Sequence, residues 1–171
     1  MNDERISFLQ EPELFRELTP EQIRELINIS RRVTFQSGET VMREGDEGDS
    51  LYIILDGTVE VVKSLVLPGM DEDDTTDRSK VFTRLSARDH AVFGEIALLE
   101  KQKRTATITA LTDCVLYEIS KDDFLRLAEE DTDLGYRVAL NLARIVSSRL
   151  RKADEDTIKL TTALSIILKQ T

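Results

Sequence analysis

Cysteine and histidine are almost absent: the 171 residues contain one of each, Cys114 and His90. A lone thiol cannot close an internal disulfide, and Cys114, set in the run Cys114-Val115-Leu116-Tyr117, is read as a small core residue. A lone imidazole is no metal-ligand cluster, so His90 is read as a loop residue and metal-dependent enzymes built on histidine clusters are not expected. With no other candidate for catalysis, the chain is not expected to be an enzyme. Long apolar runs are missing too. The longest is residues 51–55, far short of the roughly 18 to 20 residues a membrane span needs. The opening Met1-Asn2-Asp3-Glu4 lacks the basic start of a signal peptide, so a cytoplasmic location without membrane insertion is expected. Positive charge is in deficit, with 23 basic against 33 acidic residues and a net charge of -10. A field of that sign repels nucleic acid, and direct nucleic-acid binding is not expected.

What is there suits one hydrophobic core, with 40% apolar and 33% charged residues. Residues 1–31 are expected to form two short helices, the second opened by Thr19-Pro20-Glu21-Gln22, which supplies an N-cap, a proline at the first helical position and an acid in the first turn. From residue 33 the pattern changes to brief β-branched segments, at 33–35, 40–42, 51–55, 58–67, 80–85, 105–110 and 114–119, punctuated by glycines. That is a roll or barrel of antiparallel strands. Residues 68–77 carry five acids and no base and are read as a solvated hairpin loop. Helical spacing returns from Ser120, with a first helix through Phe124, Leu127 and Ala128 and a longer one carrying Leu134, Val138, Leu142, Ile145, Val146 and Leu150. A last segment with Ile158, Leu164, Ile167 and Leu168 extends the apolar stripe beyond what one small barrel could cover. It implies a partner helix, or a tail folded back on the barrel.

The stretch Phe93-Gly94-Glu95-Ile96-Ala97-Leu98-Leu99 is composed like a single helical turn with a glycine at its start. Unpaired amides at such a start, together with the guanidinium of Arg104 returning after a turn, suit one phosphate. Arginine offers two parallel donors where Lys103 would be only a point charge. Glu95 would repel a phosphate but accept from a sugar hydroxyl. The cluster fits a sugar phosphate; Glu95 and Arg104 could equally be a plain ion pair beside a loop.

The run 93–99, followed after four residues by Arg104-Thr105-Ala106-Thr107, resembles the phosphate-binding cassette of the cyclic nucleotide-binding domain family, found in catabolite activator proteins, protein kinase A regulatory subunits and cyclic-nucleotide-gated channels. Upstream, Glu44-Gly45-Asp46-Glu47-Gly48-Asp49-Ser50-Leu51-Tyr52-Ile53-Ile54-Leu55-Asp56-Gly57 is similar to the family's second signature. The resemblance spans residues 14–155 or thereabouts. It departs from the family at Lys103, where proline or a small residue is usual, and at His90, near a customary glycine. It implies an α+β fold: a β-roll, that is a jelly-roll-like double-stranded β-helix, with N-terminal helices and a C-terminal helical extension. The divisions are then 1–31 for the opening helices, 32–120 for the roll with its cassette at 93–107, and 121–171 for helices that act as lid and dimerisation element.

The same resemblance implies that Glu95 holds a ribose hydroxyl, that Arg104 holds a cyclic phosphate, and that Gly94, Ile96, Ala97 and Thr105 complete the ligand contacts. Residues 134–156 resemble the helix that caps the nucleobase, which would bring Ala153 or Asp154 near the base, where Asp154 could accept from an exocyclic amine. Residues 157–171 are too few for a DNA-reading domain. The expected function is therefore a cyclic-nucleotide sensor that needs no cofactor, binds cyclic AMP or else cyclic GMP, forms a homodimer and signals to an unidentified downstream protein. Its alternatives are a ligand-independent scaffold with a vestigial cassette and a truncated transcription regulator without its DNA-binding domain.

Overall fold

A computed structural model describes residues 12–64, 79–99 and 103–169. The acidic segment 68–77 lies outside the described residues. After a single 3-10 turn at Glu13–Phe15 come α1 (Pro20–Asn28), β1 (Arg31–Phe35), β2 (Thr40–Met42), β3 (Ser50–Asp56), β4 (Thr58–Ser64), β5 (Ser79–Ser86), a second 3-10 turn at Ala87–Asp89 and β6 (Val92–Phe93). The chain continues through α2 (Glu95–Leu99), β7 (Thr107–Ala110), β8 (Cys114–Ser120), α3 (Lys121–Glu130) and α4 (Thr132–Lys169). The strands form two antiparallel four-stranded sheets, ordered β1-β8-β3-β6 and β2-β7-β4-β5, and the chain crosses between them after β1, β2, β3, β5, β6 and β7. This is the jelly-roll-like β-roll with flanking helices that the resemblance implied.

Helix starts follow the side chains able to satisfy free amides. At α1, Thr19 accepts from the Gln22 amide and Gln22 reaches back to the Thr19 amide, a reciprocal pair worth on the order of 1 kcal/mol. Ser120 caps α3 by accepting from the Asp123 amide. Asp131 ends α3 and accepts from the Leu134 amide, so α4 begins almost at once.

Strand β3 is buried on both faces, which is why its sequence is a continuous apolar run rather than an alternation. Leu51 and Ile53 face a core shared with Leu26, Phe124, Leu134 and Leu142 from the helices. Tyr52 and Ile54 face the interior of the roll, with Val59, Phe93, Ile108 and Leu116. Cys114 is buried in this second cluster, as a core residue.

Four features differ from the sequence reading. The first of the two opening helices is only the turn at Glu13–Phe15, because Thr19 and Pro20 restart the chain four residues later. Strand β6 has two residues, too few for an alternation to show. Strand β7 begins at Thr107, two residues after the expected start, since Arg104 is held in a separate turn. The two C-terminal helical runs are one 38-residue helix, about 57 Å long, with no breaker between them. Its first half packs on the opening turn, on α3 and on the outer side of β3 through Leu134, Val138, Leu142 and Ile145, with Asn141 donating to the carbonyls of Leu14 and Arg16, whereas residues 151–168 are exposed throughout, so the tail does not fold back.

Candidate functional site

The two motifs read from the sequence meet at one side chain. Arg104 is fixed first through its backbone: its amide donates to the Asp46 carbonyl at 2.8 Å, and its carbonyl accepts from the Gly45 amide at 2.9 Å. Nη1 then donates to the carbonyl of Ser50 at 2.9 Å, and the guanidinium lies over the Tyr52 ring, 5.8 Å from its centroid. Arg104 is 8% exposed, and no carboxylate pairs with it among the described residues.

Two glycines make room for it. A Cβ on Gly48 would fall on the Arg104 guanidinium. Gly94, with φ of +77°, would set a Cβ 2.6 Å from the Ser50 carbonyl and 2.9 Å from Arg104 Nη1. At Gly48 the need is space alone; at Gly94 it is space together with a left-handed backbone. His90, where the family's glycine is customary, adopts φ of +48°, a conformation that costs a side-chain-bearing residue roughly 1 kcal/mol.

Gly94 turns the chain into α2 and its carbonyl accepts from the Ala97 amide at 3.1 Å, while amides that open such a turn ahead of it have no helical acceptor of their own. Glu95, 6% exposed, opens that turn. The plain ion pair between Glu95 and Arg104 does not form. Glu95 instead pairs at 2.6 Å with Arg149 Nη1 from α4, and Arg149 Nη2 also donates to the Val92 carbonyl. The far helix is thus latched to the cassette on either side of Gly94.

Between cassette, roll and α4 lies a cavity of about 460 Å³. Gly94, Glu95, Ile96, Ala97, Arg104 and Thr105 all line it, as do Met42, Val61, Leu85, Phe93 and Ile108 from the roll. The cavity therefore offers a buried cation, Arg104, in a mostly apolar wall that also carries Lys63, Thr83 and Lys103. Helix α4 adds Arg149, Lys152, Ala153 and Asp156, which at spacings of three, four and seven share one face. Asp154 is exposed and outside the wall, because it lies about 100° round the helix from Ala153; the carboxylate that α4 turns to the cavity is Asp156. Sequence reasoning missed Arg149. The salt bridge to Glu95 crosses 54 positions, and no local pattern signals it.

Beneath Arg104, Tyr52 is buried and stacked on Phe93, with ring centroids 5.1 Å apart. Its hydroxyl donates to Glu118 Oε1 at 2.8 Å. Burial, with that hydrogen bond, pushes the Tyr52 hydroxyl up to about 12. Against the burial that would raise it, hydrogen bonds from Arg31 and Tyr52 hold the Glu118 carboxyl below its ordinary range. At neutral pH the phenol is therefore a donor and the carboxylate an acceptor.

The family model described as "Cyclic nucleotide-binding domain" matches residues 32–131, more than half of the sequence. The chain belongs to the cyclic nucleotide-binding domain family. Among its relatives, a cAMP-dependent protein kinase regulatory subunit of Dictyostelium discoideum is 38% identical over 122 residues, covering 70% of this chain and 34% of that protein. The Cyclic AMP receptor protein of Thermus thermophilus is 28% identical over 141 residues, covering 82% of this chain and 58% of that one. The crystal structure of the Thermus thermophilus Catabolite Activator Protein superposes with a TM-score of 0.72 at 27% identity, covering 87% of this chain and 63% of the other. The chain spans about a third of the length of the kinase subunit it matches. Its family domain is a regulatory one, and no helix among the described residues is long and apolar enough to cross a membrane.

Proposed function

We propose that the cavity binds a cyclic mononucleotide, cyclic AMP before cyclic GMP, and that binding is relayed through α4. The observation that carries this reading is the buried guanidinium of Arg104, paired with no carboxylate among the described residues, in a cavity whose wall is mostly apolar. A cation so placed is costly unless an anion completes it, and a ring-closed phosphodiester brings one charge and two acceptor oxygens. Glu95, beside it, accepts from a ribose hydroxyl, and the apolar wall takes the base. Asp156 supports adenine by accepting from the exocyclic amine, in the role the sequence had given to Asp154. Two relatives whose names specify cyclic AMP point the same way. Cyclic GMP is the second reading because Thr105 also lines the cavity and offers a hydroxyl to a purine amine.

The relay follows from α4 supplying both one cavity wall and the partner of Glu95. A ligand that touches both surfaces favours one placement of the helix over another, and a difference of that kind is all that can shift a two-state equilibrium. Thermal unfolding with cyclic AMP, cyclic GMP and linear AMP tests the reading. At a hundredfold excess over Kd a native-state ligand stabilises by about 2.7 kcal/mol, or roughly 5–10 °C for a chain of this size. Cyclic AMP is expected to give the largest shift and linear AMP little. No shift with either cyclic nucleotide would leave the scaffold alternative in its place.

The outer face of α4 supports a homodimer. Tyr136, Ala139, Ala143, Val146 and Leu150, and beyond them Thr157, Leu160 and Leu164, keep the alternating steps of three and four of a two-stranded coiled coil, with Ala153 between them at the border of seam and cavity. The roll leaves Leu150 61%, Leu160 64% and Leu164 56% exposed. Sedimentation is expected to show a dimer, and Leu160→Glu combined with Leu164→Glu a monomer. A monomeric parent chain at all accessible concentrations would remove the dimer.

A further inference from the structure

Arg104 is the group on which the proposed phosphate binding turns, yet among the described residues its side chain makes one hydrogen bond, to the Ser50 carbonyl, and a guanidinium on a long flexible stem is not oriented by one bond. What else holds it is the face of Tyr52, and Tyr52 in turn belongs to a row that crosses a whole sheet. In the strand register Arg31 stands opposite Glu118, Glu118 opposite Tyr52, and Tyr52 opposite Phe93, so that the row passes through β1, β8, β3 and β6 in order. The side chains are joined along it. Arg31 donates to Glu118 Oε2 from Nε at 2.9 Å and from Nη2 at 2.5 Å, Tyr52 Oη donates to the other carboxylate oxygen at 2.8 Å, and the Tyr52 ring stacks on Phe93.

We propose that Tyr52 is the positioning residue of the phosphate site: clamped between Phe93 and Glu118, its ring sets where the Arg104 guanidinium stands before a ligand arrives. The proposal rests on reading the cavity as a cyclic nucleotide site. Two restraints fix the ring, the stack on one side and the hydroxyl's acceptor at its tip, so its face is presented in one orientation. A carboxylate at the hydroxyl also draws the proton outward and leaves the ring richer in electrons, which strengthens its attraction for a cation over its face. Charge alternates along the row: guanidinium, carboxylate, phenol dipole, guanidinium. A side chain held in this way loses little further freedom when phosphate binds, and preorganisation of that kind appears as affinity.

The test compares cyclic AMP with adenosine, which presents the same base and ribose without the phosphate, by calorimetry on the full chain. Tyr52→Leu is expected to lower the affinity ratio of cyclic AMP to adenosine about tenfold. Tyr52→Phe, which keeps the ring, is expected to restore the ratio to within about threefold of the parent. A general loosening of the roll would weaken both ligands alike and leave the ratio where it was. An unchanged ratio in Tyr52→Leu overturns the proposal. Should that variant not fold, Glu118→Gln is measured in its place; a fall of about threefold supports the proposal and an unchanged ratio overturns it. Failure of the parent chain itself to bind cyclic AMP is a different result, which removes the nucleotide reading and this inference with it.

Discussion

Replacing Arg104 with methionine is expected to raise the melting temperature of the ligand-free chain and at the same time to abolish its response to cyclic AMP. The two effects have one cause. Arg104 is 8% exposed, and among its partners are a backbone carbonyl and an aromatic face, both neutral. Desolvating a guanidinium without a counter-charge costs several kcal/mol, and methionine of similar reach removes that cost. Against it stand the lost hydrogen bond to Ser50 and the lost ring contact, each about 1 kcal/mol. The expected net gain is about 1 kcal/mol, or a rise of some 2–4 °C. Binding moves the other way. Two charge-assisted hydrogen bonds at about 1.5–3 kcal/mol each amount to a loss of roughly 10² to 10⁴ in affinity. Arg104→Lys separates fork from charge: it retains the buried cation, so no stability gain is expected, while affinity falls about 10- to 100-fold. Melting curves and calorimetry on the same preparations read both quantities. A methionine variant that melts markedly lower would mean that the charge is already compensated inside the protein, and unchanged nucleotide affinity would take Arg104 out of the site.

The parts of this arrangement that the sequence discloses are those whose cause is local. Thr19 and Ser120 announce their helices because a hydroxyl beside an unpaired amide needs no distant partner. Gly94 and Glu95 are legible because a glycine suits the start of that turn, and Arg104 because its spacing from them resembles the family's phosphate-binding cassette. The 51–55 run reads as a strand, though that it is buried on both faces depends on the helices that cover it. Other parts are long-range and leave no local trace. Nothing around Gly48 says that the Arg104 guanidinium will lie against it. Tyr52 looks like any aromatic in a strand, and its place under that guanidinium emerges only when β3, β6 and β8 are set side by side. Asp154 and Asp156 are alike in type and two residues apart, and the phase of the long helix alone decides which one lines the cavity. That phase is set by Leu134, Val138, Leu142 and Ile145 in the core shared with the opening turn, α3 and β3, a matter of packing rather than of motif.

Removing the Arg149 side chain is expected to separate binding from relay. The Glu95 carboxylate is buried, and its contact with Arg149 at 2.6 Å is also the join between cassette and α4. Taking one partner from a fully buried pair costs about 3–5 kcal/mol; Arg149 is 39% exposed, and a cost of about 2 kcal/mol is expected after allowance for solvent. Arg149→Gln should therefore melt some 4–8 °C lower. A double-mutant cycle with Glu95→Gln should return a coupling of at least about 1 kcal/mol, whereas two residues acting independently would be additive. Cyclic AMP should still bind, because Arg104 and the apolar wall are untouched, although loss of Lys152, Ala153 and Asp156 from their places weakens it about tenfold. The decisive readout is hydrogen exchange along α4. In the parent chain, ligand is expected to slow exchange around residues 145–157, since the same contacts that hold the nucleotide hold the helix. In Arg149→Gln at saturating ligand that protection should be lost while protection of the cassette remains. Equal protection of α4 in both proteins would show that the helix senses ligand without this latch, and the route from cavity to helix would then have to pass through its apolar contacts alone.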